Sequence, residues 1–175
     1  MTINLLIDQC GWYWLYDHKI DLASELPSDE FSIHMTPESE MEIRKAPPAL
    51  KAYIEDSISA CNIDTDAFFG FADETKPDSE QRVRGVDEGR FATAQEIAFI
   101  ESRKPSTVLR PTGLYKGEAD TALAARSFHS VVLTRDTKKA LRVAGGAGGL
   151  IVNLDEFDRS TINLAYFIKA KIVSG

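Results

Sequence analysis

Cysteine is scarce in this chain, which excludes the sites that cysteines usually build. Cys10 and Cys61 are too few for a disulfide framework, and their spacing is not that of a zinc site. We therefore expect two reduced thiols and a cytoplasmic protein. Histidine is equally uninformative, because the three histidines are scattered and form no metal-binding or catalytic motif.

Long apolar runs are also missing. No stretch approaches the roughly 20 apolar residues that a membrane helix requires, so we expect no membrane partner. The N-terminal stretch MTINLLIDQCGWYWLYD is apolar, but it lacks a basic start and a small-residue cleavage site. Asp8 and Asp17 interrupt it, and we interpret it as a core strand and helix, not a signal peptide.

An excess of positive charge is the third absence. The formal net charge is −7, from 27 acidic and 20 basic residues, whereas proteins that coat nucleic acid are normally basic. An enzyme acting on nucleic acid is not excluded, because a carboxylate cluster that holds divalent cations makes the metal-free protein more acidic.

Helix and strand patterns alternate along the chain. Within residues 117–154, a small-residue helix opens with Glu118 and Asp120, and a β-branched strand ends in Thr134-Arg135-Asp136. A second helix, a glycine cluster and another apolar strand follow. Ile3–Ile7 is a fully apolar run, typical of a buried central strand. The pattern predicts an α/β fold with a central, mainly parallel sheet. The length of 175 residues suits one domain.

The remaining segments carry clear local signals. Thr36 and Pro37 are typical of a helix N-cap and first helical position. Residues 73–90 are polar and turn-rich, and predict a long exposed loop, or an ordered flap. Aromatic residues between Trp12 and Tyr16 favour core and interface packing over base stacking. Further elements are predicted as follows: a helix in Asp17–Asp29, a strand at Phe31–His34, a helix at Pro48–Cys61, a strand at Phe68–Phe71, and helices at Thr93–Glu101, Lys138–Ala144 (capped by Thr137) and Thr161–Val173.

Four carboxylates lie at strand ends or on helices in these elements. Asp8 and Asp136 follow strands, and ligands of parallel sheets bind at the carboxyl ends of strands. Asp120 opens a helix and Glu42 lies on an early one. Clustered carboxylates repel one another unless cations lie between them, and Mg²⁺ and Mn²⁺ prefer oxygen ligands. We expect Glu38 and Glu40, in the first turn of their helix, to face solvent.

These segments resemble the PIN-domain nuclease family. The best match is GEADTALAARSFHSVVLTRD, in which an acid heads a small-residue helix and a strand ends in Thr-X-Asp. The segments LLIDQC and FSIHMTPESEMEIRK are similar to the family's first strand with its acid and to its strand, helix cap and Glu-Ile pair. The resemblance covers residues 3–46 and 113–154. It implies an acidic quartet at Asp8, Glu42, Asp120 and Asp136, with Glu118 as an extra metal-binding acid, Thr134 as a hydroxyl that hydrogen-bonds within the site, and Glu40 as the rival of Glu42.

The resemblance also implies a fold and an activity. The fold would be a three-layer α/β/α PIN-like domain spanning residues 1–175, with an insertion or flap around residues 62–112. The activity would be that of a Mg²⁺- or Mn²⁺-dependent endoribonuclease, which leaves a 5′-phosphate and a 3′-hydroxyl. An RNA substrate, an antitoxin or other protein partner and a second copy of the chain are the implied partners, since many family members are toxins and others act in defence or RNA processing. Basic residues that are candidates to bind the phosphate backbone are Arg103, Lys104, Arg110, Lys116, Arg135 and Lys138.

Three other readings compete. The first is a PIN-like or Rossmann-like binding module without catalysis, whose acids would only cap helices and aid solubility. A nucleotide or phosphate-ester enzyme would use Gly145–Gly149 as a phosphate cradle, but this cluster lacks the required spacing and is typical of a helix C-terminal turn. A phosphatase with an aspartyl nucleophile would need an acid where Cys10 stands.

Overall fold

Helices and strands alternate along most of the chain. The computed structural model describes residues 2–70, 73–85, 87–104, 106–136 and 139–174. The strands in these ranges are β1 (Ile3–Ile7), β2 (Phe31–Met35), β3 (Asp64–Thr65), β4 (Phe68–Phe69), β5 (Val83–Arg84), β6 (Val131–Thr134) and β7 (Ile151–Asn153). The α-helices are α1 (Gln9–Asp17), α2 (Leu22–Glu25), α3 (Pro37–Ile43), α4 (Pro48–Cys61), α5 (Ala94–Glu101), α6 (Glu118–Arg126), α7 (Lys139–Gly146) and α8 (Leu164–Ser174).

A five-stranded sheet forms the centre of the molecule. Its strand order is β3-β2-β1-β6-β7, and all of its neighbouring strands are parallel. Strand β1 lies in the middle, where Leu5 pairs with Val131 and Leu6 with His34. The chain builds outward from β1 first on one side and then on the other. The carboxyl ends of β1 and β6 therefore form the switch point at which such sheets bind ligands.

Helices cover both faces of this sheet. On one face Leu5, Ile7 and Leu133 belong to a buried cluster with residues of α1, α2, α4 and α8. On the other face Leu6 and Val132 pack with residues of α5, α6 and α7. This three-layer α/β/α arrangement confirms the predicted fold class, and explains why β1 and β6 are apolar on both sides. In the described ranges, no helix is both long and apolar enough to cross a bilayer.

Local sequence patterns predicted the positions of most helices and strands correctly. The predicted helix Pro48–Cys61 has those bounds in α4, and Thr36 caps α3 by accepting the Ser39 N–H at 3.0 Å. Trp12 and Trp14 are buried in the core, as expected for packing residues.

Three helix predictions differ from the structure. The helix expected at Thr161–Val173 is α8, which begins at Leu164 and ends at Ser174. The helix expected within Asp17–Asp29 is only the four residues of α2, because Asp21 caps it and the chain leaves the helix before Pro27. The helix expected from Lys138 begins at Lys139 as α7 and extends to Gly146. The expected cap Thr137, the expected helix start Lys138 and the end of the strand expected at Phe68–Phe71 lie outside the described residues.

The segment between β3 and α5 is anchored to the domain. Strands β4 and β5 form a small parallel ribbon, with Phe68 opposite Val83. The buried Gln81 side chain donates to the carbonyls of Asp73 and Lys76 at 2.7 and 2.8 Å. Arg90 forms ion pairs with carboxylates on both sides of the segment, Asp66 at 2.7 Å and Glu96 at 2.6 Å. We call the described part of residues 68–90 the flap.

Helix α1 lies unusually close to strand β6. A Cβ atom at Gly11 would be 2.8 Å from the Leu133 carbonyl oxygen and 3.2 Å from the Ile7 side chain. Only glycine permits this approach, and the approach keeps the N-terminus of α1 at the carboxyl end of β6.

Gly11→Ala should therefore destabilise the protein. Because Leu133 contributes backbone at the contact and cannot rotate away, we expect a loss of about 1–3 kcal/mol in the free energy of unfolding. Urea denaturation followed by circular dichroism measures it. Gly146→Ala is the matched control, because a Cβ atom there meets nothing within 4 Å, and this variant should not lose stability. Equal stability of the two variants would contradict the packing described here.

Candidate functional site

Asp8 occupies the carboxyl end of the central strand and caps the following helix. It is 7% exposed, and its Oδ1 accepts the Gln9 N–H at 2.6 Å. Its Oδ2 accepts hydrogen bonds from the Thr134 hydroxyl at 2.8 Å and from the Cys10 thiol at 2.9 Å. Three donors from two elements therefore fix this carboxylate in one orientation.

Thr134 links Asp8 to Asp136. Thr134 is fully buried at the end of β6, and its hydroxyl oxygen also accepts the Asp136 N–H at 2.9 Å. Burial, together with the nearby Asp8 carboxylate, raises the pKa of the Cys10 thiol to about 11. Cys10 therefore stays protonated at neutral pH and acts as a donor to Asp8. Its sulfur accepts the Arg135 N–H at 3.2 Å, which is a further tie between α1 and the end of β6.

Asp120 and Glu42 face the same region from two helices. Burial raises the pKa of Asp120, and repulsion from Asp8 and Asp136 adds to this effect. Burial also raises the pKa of Glu42 to about 7, with further repulsion from Asp8 and Asp120. Lys139 opposes the shift at Asp120, and Arg110 opposes both shifts without cancelling either. Asp8, Glu42, Asp120 and Asp136 thus form one electrostatic group, which we call the carboxylate cluster.

The carboxylate cluster has suitable ligand atoms for a divalent cation, but its side chains are too far apart to coordinate one without moving. Its donors are hard oxygen atoms, and a cation between them would offset the repulsion that adds to the effect of burial on the pKa values of Glu42 and Asp120. Within the described residues, however, no three acidic, histidine or cysteine side chains converge closely enough to hold an ion. Ion binding therefore requires the side chains to close around the metal.

Two neighbouring acids have other partners. Glu118 forms an ion pair with Arg82 and accepts the Tyr115 N–H at 2.7 Å. Glu40 accepts the Thr65 hydroxyl and lies 3.8 Å from the Arg84 guanidinium. Of the two rival acids on α3, Glu42 is thus the one that interacts with Asp8 and Asp120.

The predicted phosphate-binding residues are dispersed. Arg110 acts on the carboxylate cluster through charge, whereas Arg135 is paired with Asp155 at 2.7 Å. Arg103 lies over the Phe99 ring at 5.0 Å. Lys104 and Lys116 are exposed, and Lys138 lies outside the described residues. Lys139, which the sequence analysis did not single out, is the lysine whose charge acts on Asp120.

Three buried charged residues were not predicted: Glu38, Arg126 and Glu96, which pairs with Arg90. The expectation that Glu38 faces solvent is wrong: only 8% of this residue is exposed, because α3 packs against α6 along this face. Arg126 is 1% exposed, lies 3.3 Å from Asp66, and stacks 3.9 Å above the Phe68 ring. The sequence held a signal for Arg126, since it falls one helical turn after Ala122 on the small-residue face of α6.

Comparisons with known proteins leave the family open. The sequence matches no family model, and no solved structure matches the chain. The chain is similar to part of histone deacetylase 6 of Caenorhabditis elegans, with 33% identity over 107 residues. The match covers 52% of this chain and 11% of that protein. Because the match covers so small a part of that longer protein, it does not show that this chain shares the activity of that protein.

The raised pKa of Glu42 predicts a pH-dependent stability in the absence of metal. Between the ordinary value of 4.5 and about 7, the folded state keeps a proton that the unfolded state has lost. Stability should therefore fall as the pH rises through this window. Glu42→Gln should reduce this slope, since the raised pKa values of Asp120 and Glu38 retain part of it, and should be the more stable form above pH 7, by roughly 1 kcal/mol once solvent screening is allowed for.

Thermal unfolding in EDTA from pH 4 to pH 8 measures this effect. Glu55→Gln is the matched control, because Glu55 is exposed on α4 beside Lys51 and should leave the slope unchanged. A Glu42→Gln variant with the wild-type slope would show that the pKa of Glu42 is not raised in the folded protein.

Proposed function

We propose that this protein is a metal-dependent endoribonuclease that hydrolyses RNA phosphodiester bonds at the carboxylate cluster. One observation carries the proposal: Glu42 and Asp120 are half-buried among other carboxylates at the switch point of a parallel sheet. Perturbed acids in such a position are typical of functional sites. Acids that serve only as caps or for solubility would lie at the surface, apart from one another.

The choice of nuclease over other metal enzymes rests on the resemblance to PIN-domain nucleases. The acids occur in the order and on the elements that the family's motifs require, from the first strand to the Thr-X-Asp at the end of β6. The Thr134 hydroxyl bonds to Asp8, as the resemblance implied for a hydroxyl within the site. The absence of a matching family model means that family membership is itself part of the proposal.

The residues would divide the chemistry among them. Asp8, Asp120 and Asp136 would hold one or two Mg²⁺ or Mn²⁺ ions, and Glu42 would ligate an ion or orient the attacking water. A bound ion lowers the pKa of a water ligand and offsets charge that develops on the phosphodiester. Thr134 and Cys10 are positioning residues, because they hold the Asp8 carboxylate in place.

The basic residues nearest the carboxylate cluster would hold the RNA backbone. Among the described residues, Arg110 and Lys139 act on the carboxylate cluster through charge, and the exposed Lys116 is four residues before Asp120 in sequence. A cytoplasmic toxin or defence nuclease is the cellular role that the resemblance favours. An antitoxin or a second copy of the chain would then be its partner.

A catalytically inactive binding module is the second candidate function. The observation that favours it is the spacing of the acids, since the described residues contain no preformed set of three metal ligands. The two candidates differ in whether a divalent ion binds and whether RNA is cut.

Cleavage of a mixed-sequence single-stranded RNA tests the proposal. We expect cutting with Mn²⁺ and none with EDTA, and a loss of at least about 100-fold in Asp8→Asn and in Asp120→Asn. Asp56→Asn is the matched control, because Asp56 is exposed on α4 and should retain full activity. Mn²⁺ should also raise the melting temperature of the wild type but not of the two site variants.

The other outcomes are equally informative. Cutting that persists in both site variants or in EDTA would place the activity elsewhere or in a contaminant. No cutting together with no Mn²⁺-dependent stabilisation would contradict the nuclease and favour the binding module.

A further inference from the structure

A cavity lies beside the carboxylate cluster. It has a volume of about 360 Å³ and is bounded by α3, α5, α6, the flap and the loop that follows α5. Small-molecule sites in proteins have volumes of roughly 300–1,000 Å³ and mostly apolar walls. The apolar part of this wall is formed by Phe68, Val83, Ile100 and Ala122.

Buried polar atoms without partners are concentrated around this cavity. Among the described residues, five buried side-chain nitrogen or oxygen atoms have no hydrogen-bond partner, and four of them belong to residues that line it. These four are Glu38 Oε2, Arg126 Nη2, and Arg103 Nε and Nη2. A buried polar group without a partner is costly, especially when it is charged. Their grouping places unsatisfied donors and an unsatisfied acceptor around one cavity, where a ligand would find hydrogen-bonding groups.

Glu38 and Arg126 do not satisfy each other. Burial raises the pKa of Glu38 and the charge of Arg126 opposes this shift, but in the described ranges no ion pair joins the two residues. Arg126 instead lies against Asp66, at 3.3 Å. The cavity wall therefore carries an acceptor and a donor that both lack a partner. Both atoms are buried, so their side chains would have to move to reach a ligand in the cavity.

The cavity is positive in an acidic protein. Arg82, Arg103, Lys104, Lys116 and Arg126 line it against two acids, Glu38 and Glu118, whereas the net charge of the chain is −7. Lys104 and Lys116 are exposed at its rim. A ligand suited to this cavity has a flat apolar body, an anionic group for the lysines, and hydrogen-bond donors for Glu38.

We propose that this cavity binds a guanine nucleotide, with the base between the apolar walls and the phosphate at Lys104 and Lys116. Guanine presents two adjacent N–H donors, which suit a carboxylate, beside oxygen and nitrogen acceptors, which suit a guanidinium. Adenine offers Glu38 only one donor group. The nucleotide is either a free ligand or a guanosine within RNA, and in the second case the inference rests on the proposed nuclease function.

Isothermal titration calorimetry of the full chain in EDTA tests the proposal. GMP should bind about tenfold more tightly than AMP and than inorganic phosphate. Lys116→Ala should weaken GMP binding by about threefold to tenfold and leave guanosine binding unchanged, because guanosine has no phosphate. Lys51→Ala is the matched control and should change neither affinity, because Lys51 lies on α4, does not line the cavity and has a 45% exposed side chain.

Glu38→Gln tests the base contact. This variant should lose most of the preference for GMP over AMP; if it does not fold, the comparison of GMP with AMP and the Lys116→Ala variant still decide. Equal affinities for GMP, AMP and phosphate would overturn the proposal, since only a rim anion site would remain. Absence of binding would overturn it as well, because the cavity would then hold water alone.

Fluorescence anisotropy with short RNAs in EDTA separates the two sources of the nucleotide. Tighter binding of UUGUU than of UUAUU would identify a guanosine of RNA as the ligand. Binding of GMP without this preference would identify the free nucleotide. Because none of these measurements needs a metal or cleavage, failure of the nuclease proposal would leave their outcome intact.

Discussion

The hydrogen bond from Thr134 to Asp8 is the contact on which the candidate site depends. It joins the carboxyl ends of β1 and β6, the two strands between which the sheet changes its direction of growth. The close approach of α1 at Gly11 and the Cys10 thiol hold the same junction from the helix side. Asp8 is thus placed by the packing of the sheet and α1, and not by a loop that is free to move.

Charge separates two neighbouring regions of the molecule. On α3, Glu42 belongs to the carboxylate cluster, whereas Glu38, one turn earlier, lines the positive cavity. On α6, Asp120 belongs to the carboxylate cluster, whereas Ala122 lines the positive cavity. Under the two proposals, an RNA strand would place a phosphodiester at the carboxylate cluster and a neighbouring guanine base in the cavity.

Local signals explain why much of the fold was predictable. The apolar run of β1, the Thr36-Pro37 helix start and the amphipathic pattern of α4 are written in adjacent residues, and each element formed where its pattern indicated. Asp8 and Asp136 were predicted to lie at one edge because parallel strands end there, and Thr134 bonds to the Asp8 carboxylate and to the backbone N–H of Asp136.

The burial and the partners of the site residues depend on contacts between residues that are far apart in sequence. The burial of Glu38 follows from the packing of α6, and the ion pair of Glu118 with Arg82 joins residues 36 positions apart. The donor role of Cys10 requires the thiol to lie between Asp8 and Thr134. No local pattern reports such contacts, so the positive cavity and the true surroundings of these acids were visible only in the folded chain.

Diffraction from crystals soaked in Mn²⁺ tests the central claim most directly, because anomalous scattering locates the ion itself. The account predicts one or two Mn²⁺ peaks between Asp8, Asp120 and Asp136, with these side chains closed around them. A structure at saturating Mn²⁺ with no peak among these carboxylates, and with the side chains unmoved, would contradict it.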